Sequence, residues 1–209
     1  MRKIKRFKIS TRQKEILRKV QRLGLDFSAA GLTDEIALTR FILDLSKKLD
    51  PGTVYELNEN VLWNLPQHTV QAQGMFSACT VTLGPQCTEY TDQLQGPEQL
   101  AAQTVVFEFL RTAVLFVLDL VKEQAEKEEY EAQPPQFIYV PRLGLAPEPK
   151  LFKDSPRPDL ATVQKVLPEL LKHTHSEKIE VSFADGQLQP PATVVFIVPW
   201  QKKRRKGKK

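Results

Sequence analysis

The chain has 209 residues, 41% of them hydrophobic and 26% charged, which is enough for one large domain or two small ones with an ordinary core. Its net charge of +5 is segregated: residues 1–22 carry +9, residues 201–209 carry +7, and the stretch between them carries −11. An acidic body with basic ends argues against a domain that holds nucleic acid on its folded surface. Two cysteines, Cys79 and Cys87, make neither a disulfide framework nor a metal knuckle. The charged start has no apolar stretch behind it, so no secretory leader is expected. No apolar run is long enough to cross a bilayer, and the expectation is a reduced, cytoplasmic protein.

Ser10 is a fitting N-cap for a first helix over 11–23, with Ile16, Leu17, Val20 and Leu23 on its apolar side and Gly24 at its end. The basic side chains of residues 1–22 can lie along such a face, stems packed and heads in water. Thr33 is placed to cap a second helix over 34–49, with Ile36, Leu38, Phe41, Ile42 and Leu45 facing inward. Pro51-Gly52 would end it. A short strand follows over 53–57, and residues 61–65 fit either a helical turn or a strand. Residues 71–83 read as a strand, bulged at Gly74, that stops at Gly84-Pro85. A helical turn covers 86–94.

The next segment, from about 97 to 130, reads as one long helix. Between Val105 and Val121 it is apolar almost all round, so it belongs in a core. Its few polar residues, Glu108, Arg111, Thr112 and Asp119, fall along one side. A buried charge requires a partner or a ligand. Glu108 and Arg111, three residues apart, can pair with one another, or the stripe can face a bound molecule.

Residues 137–140 form a short apolar run bounded by prolines, as an edge strand would. A proline-rich loop over 141–158 follows, and Arg142, Lys150, Lys153 and Arg157 make it basic within an acidic body. Long stiffened loops are often functional, and this one suits an anionic ligand group or an acidic neighbouring surface. A helix over 159–172 has Leu160, Val163, Val166, Leu167, Leu170 and Leu171 on its apolar side, and Pro168 should kink it or end it early. Residues 179–184 alternate as a strand, with Asp185-Gly186 behind them as a turn. Residues 193–198 form a continuous apolar strand, most simply an interior one. These last two strands are expected to pair across their short connection. The irregular order of elements predicts an α+β fold, a single domain over 1–200 with an antiparallel sheet and flanking helices. The tail over 201–209 lacks any apolar residue and is expected to be disordered, either as a solvated end or as a contact for a polyanion.

No nucleotide-binding glycine loop, serine nucleophile elbow or His-Glu-x-x-His pattern is present. His173 and His175 fall where a helix ends, and His68 has no acidic or thiol neighbour nearby except Glu59. No constellation supports catalysis by this chain alone.

Several segments, in order, resemble the activation domain of cobalamin-dependent methionine synthase and its free-standing relatives. They are Val81-Thr82-Leu83-Gly84-Pro85, the long helix after it, and the final third: Ser155-Pro156, the helix from Gln164 to Leu171, the strand beginning Ile179-Glu180-Val181, Leu188-Gln189-Pro190, and Val194-Val195-Phe196-Ile197. Glu15-Ile16-Leu17-Arg18 and Thr53-Val54-Tyr55 resemble the family's first helix and strand. The resemblance implies an α+β fold with a twisted antiparallel sheet. It also implies a partner that carries a corrinoid, either a corrinoid-binding protein or modules of methionine synthase, with the cobalamin held there. In that family the domain binds S-adenosylmethionine, whose methyl group restores an oxidised cobalamin. The implied binding residues here are Lys153, Arg142, Glu108, Arg111 and Ser155. The chain departs from the family's ligand motif: Lys153 stands where an arginine would, Arg157 replaces a glycine, and the tyrosine is absent. On the long helix Arg111-Thr112 replace a small pair and Phe116 replaces a second acid. An arginine in place of that glycine should fill space a ligand would use. The alternative expectation is therefore a non-enzymatic interaction protein of the same fold that has lost adenosylmethionine binding.

Overall fold

A computed structural model describes residues 1–9, 14–16, 18, 28–32, 34–59, 75–144, 146–155 and 157–203. In chain order the elements are β1 (Arg2–Lys5), α1 (Glu35–Ser46), β2 (Gly52–Glu59), β3 (Met75–Thr82), α2 (Gln86–Gln93) and α3 (Gly96–Lys127). They continue with β4 (Tyr130–Ala132), β5 (Gln136–Tyr139), α4 (Lys150–Lys153), α5 (Leu160–His173), β6 (Ser182–Ala184), β7 (Gln187–Gln189) and β8 (Thr193–Lys202). The fold is α+β, with a curled antiparallel sheet and flanking helices.

The sheet runs β1-β2-β3-β8, and every pairing is antiparallel. On the far side of β8, β4 and β5 pair with successive stretches of the same strand, Ala132 opposite Trp200 and Gln136 opposite Ile197. Successive side chains of a strand point to opposite faces, and the core divides accordingly. Tyr55, Cys79, Val81, Val194, Phe196 and Val198 face the layer containing α1, α2 and α3. Val54, Phe76, Ala78, Val195 and Ile197 face α5. A strand covered on both faces reads as a continuous apolar run, which is why β8 was legible in the sequence.

The central helix α3 runs for 32 residues, about 48 Å, and Pro97 in its first turn loses no helical hydrogen bond. Asp34 caps α1 by accepting the Ala37 amide at 2.7 Å, one residue later than the expected Thr33, which lies outside the described residues. Leu38, Ile42 and Leu45 are buried as expected, but Ile36 is 73% exposed. It stands two residues from Leu38, on the opposite side of the helix. Asp159 caps α5 through the Thr162 amide, and the helix passes through Pro168 to His173. Burial of Val163, Val166, Leu167, Leu170 and Leu171 outweighs the one bond that proline removes. Leu160, expected on the same apolar side, is 67% exposed at the helix start.

Four expectations are corrected. Residues 2–5 form an edge strand rather than the approach to a helix face: β1 pairs with β2, and Lys5 bonds Glu180 at 2.8 Å. Residues 176–179 form a helical turn, so only Ser182–Ala184 of the expected strand is extended. That strand pairs with β7 across Asp185-Gly186, both at positive φ, and not with β8. The turn was correctly placed, but its partner was the shorter strand immediately beyond it. β8 continues through Gln201 and Lys202, two residues into the expected tail. Of the expected first helix, residues 14–16 and 18 are helical and Ile16 is buried. The rest of it, the segment 61–65, Gly74 and His68 lie outside the described residues.

The C-terminal end of α5 is fastened to the sheet by buried hydroxyls. Ser176 Oγ donates to Thr80 Oγ1 at 2.9 Å and stands 2.7 Å from Thr174 Oγ1. All three residues are fully buried. A buried hydroxyl without a partner is costly. Ser176→Ala is expected to lower stability by about 1–2 kcal/mol, read as a lower urea midpoint with an unchanged slope.

Candidate functional site

The polar stripe of α3 divides in two. In the buried half, Glu108 is 7% exposed and accepts from Arg111 Nε at 2.8 Å, while Thr112 Oγ1 donates to the Glu108 carbonyl at 2.9 Å. In the outer half, Asp119 is exposed and lies 3.6 Å from Lys122. The sequence left open whether Glu108 and Arg111 pair or face a ligand, and the structure pairs them. Two charges three residues apart on a helix meet without bending the backbone.

The described residues of 141–158 form a strap against this helix. Leu143, Ala146 and Phe152 are buried in the core layer that contains α3. The Phe152 ring lies 6.4 Å from Phe107 of α3 and meets Phe137 of β5 edge-on at 5.3 Å. Gly144 touches the helix even more closely. A Cβ there would run into the Gln103 side-chain amide, and the backbone has φ +53°, which a residue carrying a Cβ rarely adopts. Strap and helix are therefore brought together, joined by Phe107–Phe152 and by Gln103 over Gly144.

The basic residues of the strap have separate fates. Arg157 closes onto Glu148: Nη1 donates to Oε1 at 3.2 Å, Nη2 reaches Oε2, and Nη2 also donates to the Phe152 carbonyl at 3.0 Å. Ser155 Oγ donates to the Leu151 carbonyl at 3.0 Å. Arg142 and Lys153 are exposed and make no ion pair among the described residues. Near Arg142 sits a residue the sequence did not single out. Burial pushes the Tyr139 hydroxyl above its ordinary pKa, opposed by a hydrogen bond from the Leu188 backbone and by the Arg142 charge. The only signal for it was a tyrosine two residues before Pro141-Arg142.

Two other concavities lie elsewhere. One, at the ends of β2 and β3 between Asp50, Gly52, Gly84, Glu180 and Pro190, has room for about 20 Å³, little more than one water. The other is an open trough of about 290 Å³ between α5 and β6, walled by Pro168, Leu171, Val181 and Phe183. Neither is lined by any of the five residues assigned from the resemblance. Burial raises both cysteine thiols, Cys87 to about 12, so neither supplies a thiolate at neutral pH. Among the described residues no three His, Cys, Asp or Glu side chains gather as a metal site requires.

No protein-family model matches the chain, and no curated protein matches it significantly. The ligand implied by the resemblance can be set against the side chains themselves. Adenosylmethionine carries a carboxylate, an ammonium and a sulfonium, and needs an available acid together with backbone it can approach. Here Glu108 is engaged by Arg111, the Phe152 carbonyl by Arg157, and Ser155 by its own strap. Of the five assigned residues, Arg142 and Lys153 remain to offer cations to a carboxylate. This donor set does not fit adenosylmethionine in the manner of the family motif.

The Glu108–Arg111 pair has a measurable consequence. Removing one member of a buried ion pair leaves the other charge poorly compensated. Arg111→Met is expected to cost about 1–2 kcal/mol, the scale of a part-buried hydrogen bond to a charged group. Glu108→Leu combined with Arg111→Met should recover most of that loss in chemical denaturation.

Proposed function

We propose that this chain is a cytoplasmic relative of the activation domain of cobalamin-dependent methionine synthase. It docks on a corrinoid-carrying partner and assists the return of that partner's cofactor to an active state. What supports the reading is the serial order of its elements. The segment ending in Gly84-Pro85 closes β3, the long helix follows, Ser155 lies in the strap before α5, and Val194 to Ile197 fall on β8. Among the described residues, no helix is long and apolar enough to cross a membrane.

Within that reading, two roles differ in what they ask of the strap. Reactivation by methyl transfer would place adenosylmethionine on this protein. A docking role would require only the fold and its surface. One observation favours docking: the Phe152 carbonyl and the Glu148 carboxylate are both taken by Arg157, where the family carries a glycine. The chain then acts as a binding component, with the corrinoid and its chemistry on the partner.

Two measurements on the purified protein test this together. Calorimetric titration with adenosylmethionine to millimolar concentration is expected to give no binding heat. Size-exclusion chromatography with the cobalamin-loaded modules of methionine synthase is expected to show a shared peak. Separate elution of the two proteins would overturn the proposed partnership, and binding heat would overturn the docking-only role.

A further inference from the structure

We infer that Glu148 and Arg157 form an intramolecular clasp that orders the strap with residues of this chain alone. The inference concerns this chain alone and does not depend on the partner proposed above.

Glu148 and Arg157 stand nine residues apart, on either side of α4. Two guanidinium nitrogens meet the two carboxylate oxygens, the paired arrangement that fixes direction as well as distance. The same guanidinium donates to the Phe152 carbonyl, so one side chain gathers both ends and the middle of the segment. Both side chains are about two-thirds shielded from water, at 31% and 27% exposure, which limits competition by solvent. Phe152 is fully buried between Phe107 and Phe137, and it supplies the fixed point on which the clasp closes.

Inside the closed segment the backbone satisfies itself. The Phe152 and Lys153 amides donate to the Pro149 carbonyl, Asp154 to Lys150, and Ser155 to Phe152. A four-residue helix makes too few bonds to persist alone, since helices shorter than about 12 residues are marginal in water. Something must hold α4 closed. In a ligand-binding loop the bound molecule commonly does so. Here the ring of Phe152 on one side and the Glu148–Arg157 pair on the other meet the requirement with residues of the chain itself. Arg157 also occupies the Phe152 carbonyl at the centre of the segment.

Hydrogen–deuterium exchange on the full-length protein tests the clasp through the amides of residues 152–155. Glu148→Gln and Arg157→Met each remove the charge pair while keeping side-chain size. Each is expected to speed exchange at these amides about fivefold, as for loss of a partly shielded pair, with the amides of β3 unchanged. Unchanged exchange in either variant would show the pair to be idle and overturn the inference. So would acceleration shared equally by β3, which would mean general loosening.

Discussion

The constraint on which the structure turns is that the middle of α3 has no surface it can leave in water. Every residue from 105 to 110 is buried, Glu108 among them. A helix apolar on one stripe needs one neighbour, whereas a helix apolar all round needs cover on every side. One side is closed by the sheet through Val194, Phe196 and Val198, another by α1 and α2, and a third by the strap with Leu143 and Phe152. Burying each phenylalanine of that layer contributes on the order of 2–3 kcal/mol. The Glu108–Arg111 pair is the electrostatic consequence: a carboxylate carried inward by its helix is matched one turn later by a guanidinium whose head stays nearer the surface.

A second requirement of the same kind comes from β8, which is apolar on both faces. It needs α3 on one side and α5 on the other, so the chain must cross from the first layer to the second after the edge strand β5. Residues 141–158 make that crossing. Their proximity to α3 is thus fixed by topology before any ligand is considered, and the prolines limit the conformations the crossing can adopt. The clasp then has a purely structural reason to exist, which is why its effect has to be separated experimentally from general stability.

Legibility in the sequence followed the locality of the signal. α3 and β8 are apolar wherever one looks along them, and the turn at Asp185-Gly186 is written in two adjacent residues. β1 carries almost no local signal, because three of its four residues are Lys or Arg. It is a strand by virtue of Tyr55, Val54 and Thr53 opposite it, some fifty residues away. Pairing of β6 was misjudged for a related reason: periodicity identifies a strand without naming its partner. Ile36 and Leu160 show another boundary. Hydrophobicity identifies candidates for burial, but direction around the axis decided Ile36, and Leu160 shares the right direction yet stands at the helix start. At the site, the Glu108–Arg111 pair was readable from spacing. The Glu148–Arg157 pair was not, since nine residues of loop separate its members.

The basic N-terminus changes meaning once β1 is seen. Read alone, Arg2, Lys3, Lys5, Arg6 and Lys8 suggest a contact for a polyanion. In the fold, Lys5 bonds Glu180, Arg6 lies 3.4 Å from Asp50, and the terminal amine lies 3.5 Å from Glu56. The Glu180 carboxyl is held below its ordinary pKa chiefly by the Lys5 hydrogen bond, so that attraction is present at neutral pH and fades only as acid protonates the group. Charges of one sign along an outermost strand also repel a second copy of the same edge. Much of the basic character of residues 1–9 is therefore accounted for by holding and protecting β1 within an otherwise acidic body. A polyanion-binding role would rest on basic residues outside these contacts, the C-terminal run beyond β8 among them, and affinity carried by lysine and arginine would fall steeply with salt.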